Sequence, residues 1–245
     1  MSDTPPLAAL PEDWQTALAV VAHPDDLEYG AASAIARWTA QGKNIVYCLL
    51  TSGEAGIDGI APPRAKQIRE REQIASAAVV GVETVEFLGL PDGILEYGLP
   101  LRRAITRQIR RHRPDIVITN NFRDTWDGEE LNQADHIAAG RALLDAVRDA
   151  GNRWVFPDLA EEELEPWNGV RQVWAAYSPS ARHGVDVTET LDLGLASLRA
   201  HEEYLRGLGD MNFDHEEFLE ELARQAGSRL GCRFAVAFEA VRFAG

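Results

Sequence analysis

The stretch Ala17–Gly30, ALAVVAHPDDLEYG, joins a short apolar run directly to a polar turn. A continuous apolar run of this length is typical of a strand that is buried on both faces of a parallel sheet. Ligands of open parallel sheets bind beyond the carboxyl ends of the strands. We therefore expect His23, Asp25 and Asp26 to lie in a crevice that is closed at the back and open at the front.

Strand and helix patterns alternate from this run through the first 150 residues. Such alternation indicates βαβ units, so we predict an α/β, Rossmann-like fold with a mostly parallel sheet and helices on both faces. The further predicted strands are Asn44–Leu50, Thr84–Leu90 and Asp115–Asn121, and the predicted helices are Gly30–Gln41, Arg64–Val80, Leu101–His112 and Asn132–Ala150.

The rhythm changes after Gly151, where an acidic connection that contains proline begins. Beyond it, residues 171–178 and 234–243 have strand patterns, and Val187–Leu208 and Asp214–Ala226 have helical ones. Neither an internal repeat nor a low-complexity linker interrupts the sequence. We predict a single domain over residues 1–245 with a divergent C-terminal third.

Composition narrows the class of function. The 245 residues carry a net charge of −15, which leaves no surplus of cations to neutralise nucleic-acid phosphates. The two cysteines, Cys48 and Cys232, do not make a disulfide framework, so a reducing cytoplasm is the expected location. No apolar run is long enough for a signal peptide or a membrane span, and we expect neither.

His23 and Asp26 are residue types that hold divalent metals, zinc in particular, at roughly 2.0–2.2 Å. A second polar loop follows the fourth predicted strand, and the next helix begins with Gln133 and His136 on one face. His136 would then complete a site of three protein ligands with one position left for water, the pattern of catalytic zinc. The alternative is that His23 closes a turn and that Asp25 or Asp26 caps the following helix.

Five motifs carry a family resemblance. They are AHPDD (22–26), TSGEAG (51–56), R-x-x-E (69–72), LGLPDG (88–93) and QADHIAAG (133–140). In sequence and in order they resemble the PIG-L/LmbE-like metal-dependent deacetylases, which hydrolyse N-acyl groups, commonly on N-acetylglucosamine derivatives. The resemblance covers the first 150 residues well and the last third loosely.

The resemblance implies roles for individual residues. His23, Asp26 and His136 match the metal ligands of the family, and Asp25 matches its general base. Arg69 matches a position that contacts substrate, although a solvated arginine in a charged helix is the alternative. The metal implied is divalent, zinc first, and iron(II), cobalt or manganese also suit such ligands.

One departure concerns Gln133, which stands where the family has the first histidine of H-x-D-H. An amide can donate a hydrogen bond to an oxyanion, but it cannot act as a general acid. Asp135, which in the family orients that histidine, is expected to orient the Gln133 amide. The alternative is a member that keeps its metal but is catalytically impaired or repurposed.

Further candidates lie on loops and in the last third. Glu54 and Asp92 are expected to line the pocket, with turn formation as the alternative for Asp92. Trp126 is expected to stack on a sugar ring, with loop anchoring in the core as the alternative. His183 is a candidate acid or an ordinary loop residue, and His201 is expected at the surface.

The resemblance thus implies a hydrolase that removes an N-acetyl or other N-acyl group from a small amino sugar or amino-sugar conjugate. A nucleotide-dependent Rossmann protein is the alternative from another class. Neither G-x-G-x-x-G nor G-x-x-x-x-G-K-[ST] occurs, which argues against it. A homo-oligomer is compatible with the arginine-rich helix Arg102–Arg113, which can form an intersubunit face.

Overall fold

The computed structural model describes residues 5–126, 128–209 and 213–243. The strands in these ranges are β1 (Ala8–Ala9), β2 (Thr16–Val21), β3 (Asn44–Leu49), β4 (Thr84–Phe87), β5 (Ile116–Thr119), β6 (Gln172–Ala176), β7 (His183–Asp186) and β8 (Ala235–Arg242). They form one sheet in the order β1-β7-β8-β6-β5-β2-β3-β4.

Helices connect and cover these strands. They are α1 (Asp26–Gly30), α2 (Ala32–Ala40), α3 (Pro62–Val79), α4 (Leu99–His112), α5 (Ala134–Gly151), α6 (Leu191–Arg199), α7 (Glu202–Gly207) and α8 (His215–Leu230), with a 3-10 turn at Pro157–Glu162. Among the described residues, no helix combines the length and the hydropathy that crossing a bilayer requires.

The five strands from β2 to β6 pair in parallel, as the alternation of strands and helices predicts. β8 runs antiparallel between β6 and β7, and β1 pairs in parallel with β7. The prediction of a mostly parallel α/β sheet is confirmed. Its antiparallel strand belongs to the divergent last third.

Side chains of β2 alternate between the two faces of the sheet, since successive side chains of a strand point to opposite sides. One set packs with α1, α2, α6 and α8, and the other packs with α4 and α5. Each buried valine or leucine contributes roughly 1.5–3 kcal/mol to the free energy of unfolding. The first set is Ala17, Ala19 and Val21. The second set is Leu18 and Val20, together with Ala22 directly after the strand.

Two predicted helices are each split in the structure. The predicted helix Gly30–Gln41 begins earlier, at Asp26, and is interrupted at Ala31, where α1 gives way to α2. The predicted helix Val187–Leu208 is likewise interrupted, between α6 and α7. The apolar periodicity continues through both breaks, so the pattern alone does not reveal them.

His183 lies on β7 rather than on a loop, paired with Ala8 and Phe238. Three strands separate β7 from β2, so their axes are about 19 Å apart at the usual strand spacing. β7 has only four residues and escaped prediction because so short a strand shows no clear alternation. This distance does not favour His183 as an acid for a site at the end of β2.

The arginines of α4 meet acidic groups of the same chain. Arg102 binds Asp149 at 2.8 Å, and Arg103 and Arg107 reach the 3-10 turn, where Glu162 pairs with Arg107. The described structure therefore supplies intramolecular partners for a face that the sequence left open to another subunit.

Candidate active site

Two neighbouring strands end beside each other and carry the candidate metal ligands. The loop after β2 holds His23 and Asp26, and the loop after β5 leads into α5, which holds His136. Ligand atoms of these three residues all lie within 4.8 Å of one another. His136 Nε2 is 2.9 Å from Asp26 Oδ1, and His23 Nδ1 is 3.7 Å from the same oxygen. The predicted triad is thus brought together at the carboxyl edge of the sheet.

Asn132 sets the proton position on His136. Its amide nitrogen donates to the carbonyl oxygens of Asn121 and Arg123, which fixes the orientation of the amide. Its Oδ1 then lies 3.0 Å from Nδ1 of His136. Because an amide oxygen can only accept, Nδ1 carries a proton, and Nε2 is left as the nitrogen that faces Asp26 and would bind a metal.

Hydrogen-bond partners also fix the ring of His23, but they lie at Nε2 and not at Nδ1. Its Nε2 lies 3.1 Å from Asp92 Oδ1 and 3.3 Å from Asp135 Oδ2, so Nε2–H donates and Nδ1 faces Asp26. Burial opposes the charge on His23, but hydrogen bonds to Asp135, Asp26 and Asp92 raise the pKa of the imidazole well above its ordinary value. The surplus of carboxylates makes this a place where a cation is favoured.

Asp135 does not orient Gln133, contrary to the expectation. Its two oxygens accept the backbone N–H groups of Gly93 and Leu95, at 2.8 and 2.9 Å, and one of them also meets His23. Gln133 instead lies exposed at the N-cap of α5. A carboxylate already held by two backbone donors has its orientation fixed and cannot turn towards the helix cap.

The residues fit a divalent ion. Nε2 of His136 is buried and finds no well-directed hydrogen bond among the described residues, although Asp26 is near. Two imidazoles and one carboxylate are a common donor set for zinc and related ions. His23, Asp92 and Asp135 form a second group within similar distances. The backbone hydrogen bonds to Asp135 make the first group the better cage.

Asp25 lies beside the triad in a left-handed backbone conformation, with φ of 88°. Its Oδ1 meets Arg69 at 2.8 Å, and its backbone N–H donates to Gln73 at 3.0 Å. Burial raises the pKa of the Asp25 carboxyl, although the Arg69 guanidinium opposes the shift. A carboxylate with a raised pKa is a better proton acceptor near neutral pH.

Arg69 is 2% exposed, so the alternative of a solvated charge is wrong. Besides Asp25, its guanidinium donates to the carbonyl oxygens of Pro24 and Gly53 and packs over the ring of Tyr204 at 3.8 Å. A Cβ on Gly53 would come within 2.5 Å of this guanidinium, so the glycine of the TSGEAG motif leaves room for it. Arg69 contacts Asp25, and its predicted contact with substrate stays a prediction.

Glu54 and Asp92 link two loops at the rim of the site. Glu54 accepts the backbone N–H of Asp92 at 3.1 Å, and Asp92 accepts the backbone N–H of Ala55 at 2.7 Å. Trp126 stands edge-on to the His136 ring, with centroids 5.7 Å apart. All three are near the triad, and their predicted roles in substrate binding stay predictions.

The expectation for His201 is wrong, because its side chain is fully buried. It faces the equally buried Glu28, with Nε2 3.7 Å from Oε2. Glu28 in turn binds Gln73 and Ser76. Glu28 stands two residues beyond Asp26, on α1, and this closeness in sequence is a signal that Glu28 lies near the site. Nothing in the sequence around His201 distinguishes that histidine from a surface residue on an acidic helix.

Comparison with known proteins agrees with this geometry. The chain is 29% identical over 238 residues to a diacetylchitobiose deacetylase of Thermococcus kodakarensis, covering 94% of this chain and 84% of the relative. An N,N'-diacetylchitobiose deacetylase structure from Pyrococcus horikoshii superposes with a TM-score of 0.85 at 25% identity, covering 94% and 85% of the two chains.

The fold is also shared with GalB, the 4-carboxy-2-hydroxymuconate hydratase of Pseudomonas putida. That structure superposes with a TM-score of 0.75 at 19% identity and covers 94% of this chain and 98% of the hydratase. A fold shared by two chemistries leaves function to the site. The family model PIG-L, GlcNAc-PI de-N-acetylase, matches residues 18–147. Because that match spans more than half of the sequence, the chain belongs to the PIG-L family of metal-dependent deacetylases.

Proposed function

We propose that this chain is a zinc-dependent N-deacetylase that removes an acetyl or other N-acyl group from an amino sugar or amino-sugar conjugate. The observation that carries the proposal is the buried cluster of His23, Asp26 and His136 with Asp25 beside it. Each imidazole turns one ring nitrogen to the same carboxylate oxygen, at 3.7 Å for His23 and 2.9 Å for His136. That arrangement suits a single ion with one side open to water and substrate.

The roles of the residues follow from this geometry. His23, Asp26 and His136 would hold the ion. When bound, a divalent ion such as zinc lowers the pKa of a coordinated water towards about 7 and polarises the acyl carbonyl. Asp25 accepts the proton of the attacking water and returns it to the departing amine, and Arg69 keeps its carboxylate in place.

Gln133 is proposed to donate a hydrogen bond to the oxyanion. Its side chain is exposed at the start of α5, three residues from His136 and free to turn towards a bound substrate. The second candidate function, a member that keeps its metal but hydrolyses amides poorly or has another activity, also rests on Gln133. The choice between them depends on measured rates of acetate release.

Trp126 is proposed to stack on the sugar. Its ring lies between His136 and a cleft of about 730 Å³ that Tyr177, Ser178 and Gln225 also line. Pockets of this kind combine aromatic surface with a few polar groups that fix orientation. We propose that the cleft takes the part of the conjugate beyond the acylated sugar. The diacetylchitobiose deacetylase of Thermococcus kodakarensis supports this class of substrate, as does a Bacillus anthracis relative that is named a probable N-acetyl-alpha-D-glucosaminyl L-malate deacetylase and is 31% identical over 137 residues.

The loop that carries Trp126 is tied to the last strand. Arg123 pairs with Glu239 on β8, and Ser178 donates to the same carboxylate at 2.5 Å. One wall of the cleft and the tryptophan loop therefore share an anchor.

Both cysteines are free in the structure, which supports the cytoplasm as the proposed location.

The test begins with metal content per chain in protein purified without chelator, beside His23→Ala, His136→Ala and the distant control His183→Ala. We expect one equivalent of zinc in the wild type and the control and none in the other two. Acetate release is then measured with N-acetylglucosamine, diacetylchitobiose and an N-acetylglucosaminyl malate. Zinc-loaded wild type that releases acetate from none of these would reject the deacetylase proposal and favour the second candidate.

A further inference from the structure

A buried charge pair lies behind the active site and has no part in the roles assigned above. The side chains of Glu28 and His201 are both 0% exposed. Oε2 of Glu28 lies 3.7 Å from Nε2 of His201, and neither atom finds a hydrogen bond among the described residues. Two polar groups without access to water are costly to bury, so their presence calls for a specific function.

A short relay of hydrogen bonds connects this pair to the proposed base. Glu28 Oε1 accepts from Gln73 Nε2 at 2.8 Å, and Gln73 Oε1 accepts the backbone N–H of Asp25 at 3.0 Å. The amide of Gln73 is therefore oriented at one end by Glu28 and holds Asp25 with the other. Ser76 donates to the same Glu28 oxygen at 2.6 Å and leaves the second oxygen to face His201.

The segment that receives this relay needs support. Asp25 has φ of 88°, a conformation that residues other than glycine rarely adopt and that persists only when its surroundings enforce it. The same turn sends the Asp25 carboxylate to Arg69 and the next carboxylate, of Asp26, to His136. Relaxation of the turn would therefore displace both the proposed base and a metal ligand.

Backbone hydrogen bonds also fix the position of His201 relative to Gln73. Glu72, the residue before Gln73 on α3, accepts the backbone N–H groups of Glu203 and Tyr204 at 2.6 and 3.3 Å. These contacts fasten the start of α7, where His201 is the N-cap residue, to the helix that carries the relay. The last third is thus tied by hydrogen bonds to the helix that carries the relay.

We propose that His201 is a positioning residue that holds the Asp25 turn through Glu28 and Gln73. The consequence for catalysis rests on the proposed function, whereas the effect on the turn does not. Side chains that support metal ligands typically change metal affinity or activity by about 10–100-fold when they are replaced. His201 would contact neither substrate nor metal.

The first test is amide hydrogen exchange in metal-free protein, read on a peptide that spans residues 23–28. His201→Gln is compared with a control, His215→Gln. The control loses a 2.6 Å hydrogen bond to Tyr29, which follows Glu28 on α1. We expect exchange of the Asp25 amide to accelerate about tenfold in His201→Gln and to stay at the wild-type rate in the control. Equal rates in all three proteins would overturn the proposal.

The second test is zinc affinity, by competition with a chromophoric chelator. We expect His201→Gln to bind zinc about tenfold more weakly, because one partner of a buried pair is left alone. The double variant Glu28→Gln, His201→Gln, which removes both charges, should recover most of this loss. If it binds no better than the single variant, the charge pair is not the link and the proposal is wrong.

Further results distinguish failure of the His201 proposal from failure of the deacetylase proposal. Should His201→Gln not fold, Gln73→Met keeps both His201 and Glu28 but removes the hydrogen bonds of Gln73 to Glu28 and Asp25, and it should accelerate exchange of the same amide. Wild type that binds zinc but releases no acetate would reject the deacetylase proposal alone, since exchange and affinity still decide the role of His201. A lower melting temperature with unchanged exchange and affinity would mark His201 as merely structural.

Discussion

The turn after β2 and the turn that opens α5 both carry candidate metal ligands, yet they are held in different ways. His23–Asp26 is fixed by side chains of α3, those of Arg69 and Gln73. Asn132–His136 is fixed by its own asparagine and by two backbone N–H groups of the loop after β4. Its Gln133 is left exposed.

This difference matches two different tasks. A base that acts on water must be placed before substrate arrives, and its support comes from residues that are themselves packed. Gln133, the proposed donor for the oxyanion, is exposed and has to turn towards the substrate, which reduces its effect relative to a preorganised donor. The first turn therefore has the character of a preorganised element and the second that of an adaptable one.

The largest effect is expected in the first turn. Asp25→Asn should lower kcat/KM for acetate release by about 10²–10⁴, because the amide cannot accept the proton of the attacking water. The zinc content should stay at the wild-type value, as measured by elemental analysis. Asp13→Asn, the same replacement at an exposed aspartate that pairs with Arg171, is the control. A fully active, zinc-loaded Asp25→Asn enzyme would place the base elsewhere.

In the second turn, Gln133 offers a change in the opposite direction. Gln133→His should raise kcat by about tenfold or more, since an imidazole can also protonate the departing amine. Gln133→Ala should lower kcat by about 10²–10³ through loss of an oxyanion donor. Steady-state kinetics on one substrate measures both. No change in either variant would remove Gln133 from the mechanism.

Asn132 tests whether local support is as strong as long-range support. Asn132→Ala removes the acceptor that fixes the proton on His136, and zinc affinity should fall by about 10–100-fold. Asn121→Ala loosens the same loop, where its amide donates to Thr125, without contacting His136. Chelator competition should show a loss in the first variant and little in the second. Equal losses would mean that loop order, not the tautomer, matters.

The smallest effect is a pH dependence of stability. The folded-state pKa of His201 lies above its ordinary value of 6.5, so its contribution is complete below that pH and is lost as pH rises through the folded-state pKa. The difference in free energy of unfolding between wild type and His201→Gln should therefore shrink as pH rises above 6.5. Groups near His201 that also titrate or carry charge are Glu28, Asp25, Arg69 and Tyr204.

Urea unfolding of the metal-free proteins measures this difference, with His215→Gln as the control. A difference that grows with pH would show that His201 is neutral in the folded state. Its pairing with Glu28 would then be a neutral hydrogen bond rather than an ion pair.

Much of the fold and of the metal cluster could be predicted from the sequence, for identifiable reasons. Apolar runs such as Ala17–Ala22 mark strands that are buried on both faces, and ligands of parallel sheets cluster where such strands end. His23, Asp26 and His136 follow from that rule and from the family motifs. The short strands β1 and β7 could not be predicted, since they pair only through contacts with distant segments.

The supporting residues were missed because their partners are far away in sequence. His201 meets Glu28 across 173 positions, and its own neighbourhood reads as an exposed acidic helix. Arg69 was identified only through the family motif, because its helix is rich in charge, yet two glycines of another loop leave room for its side chain in the interior. Local periodicity reports which face of an element is apolar, but it does not report which polar groups that face will meet.

The position of β8 has a consequence for synthesis of the chain on the ribosome. β2 to β6 can pair with one another soon after they emerge, whereas β7 has no partner besides the two-residue β1 until Ala235–Arg242 has left the exit tunnel. Until then the edge of β6 stays open to pairing with other chains. Glu239 arrives with β8 and ties down Arg123 and Ser178, so the cleft beside Trp126 is completed only after β8 has joined the sheet.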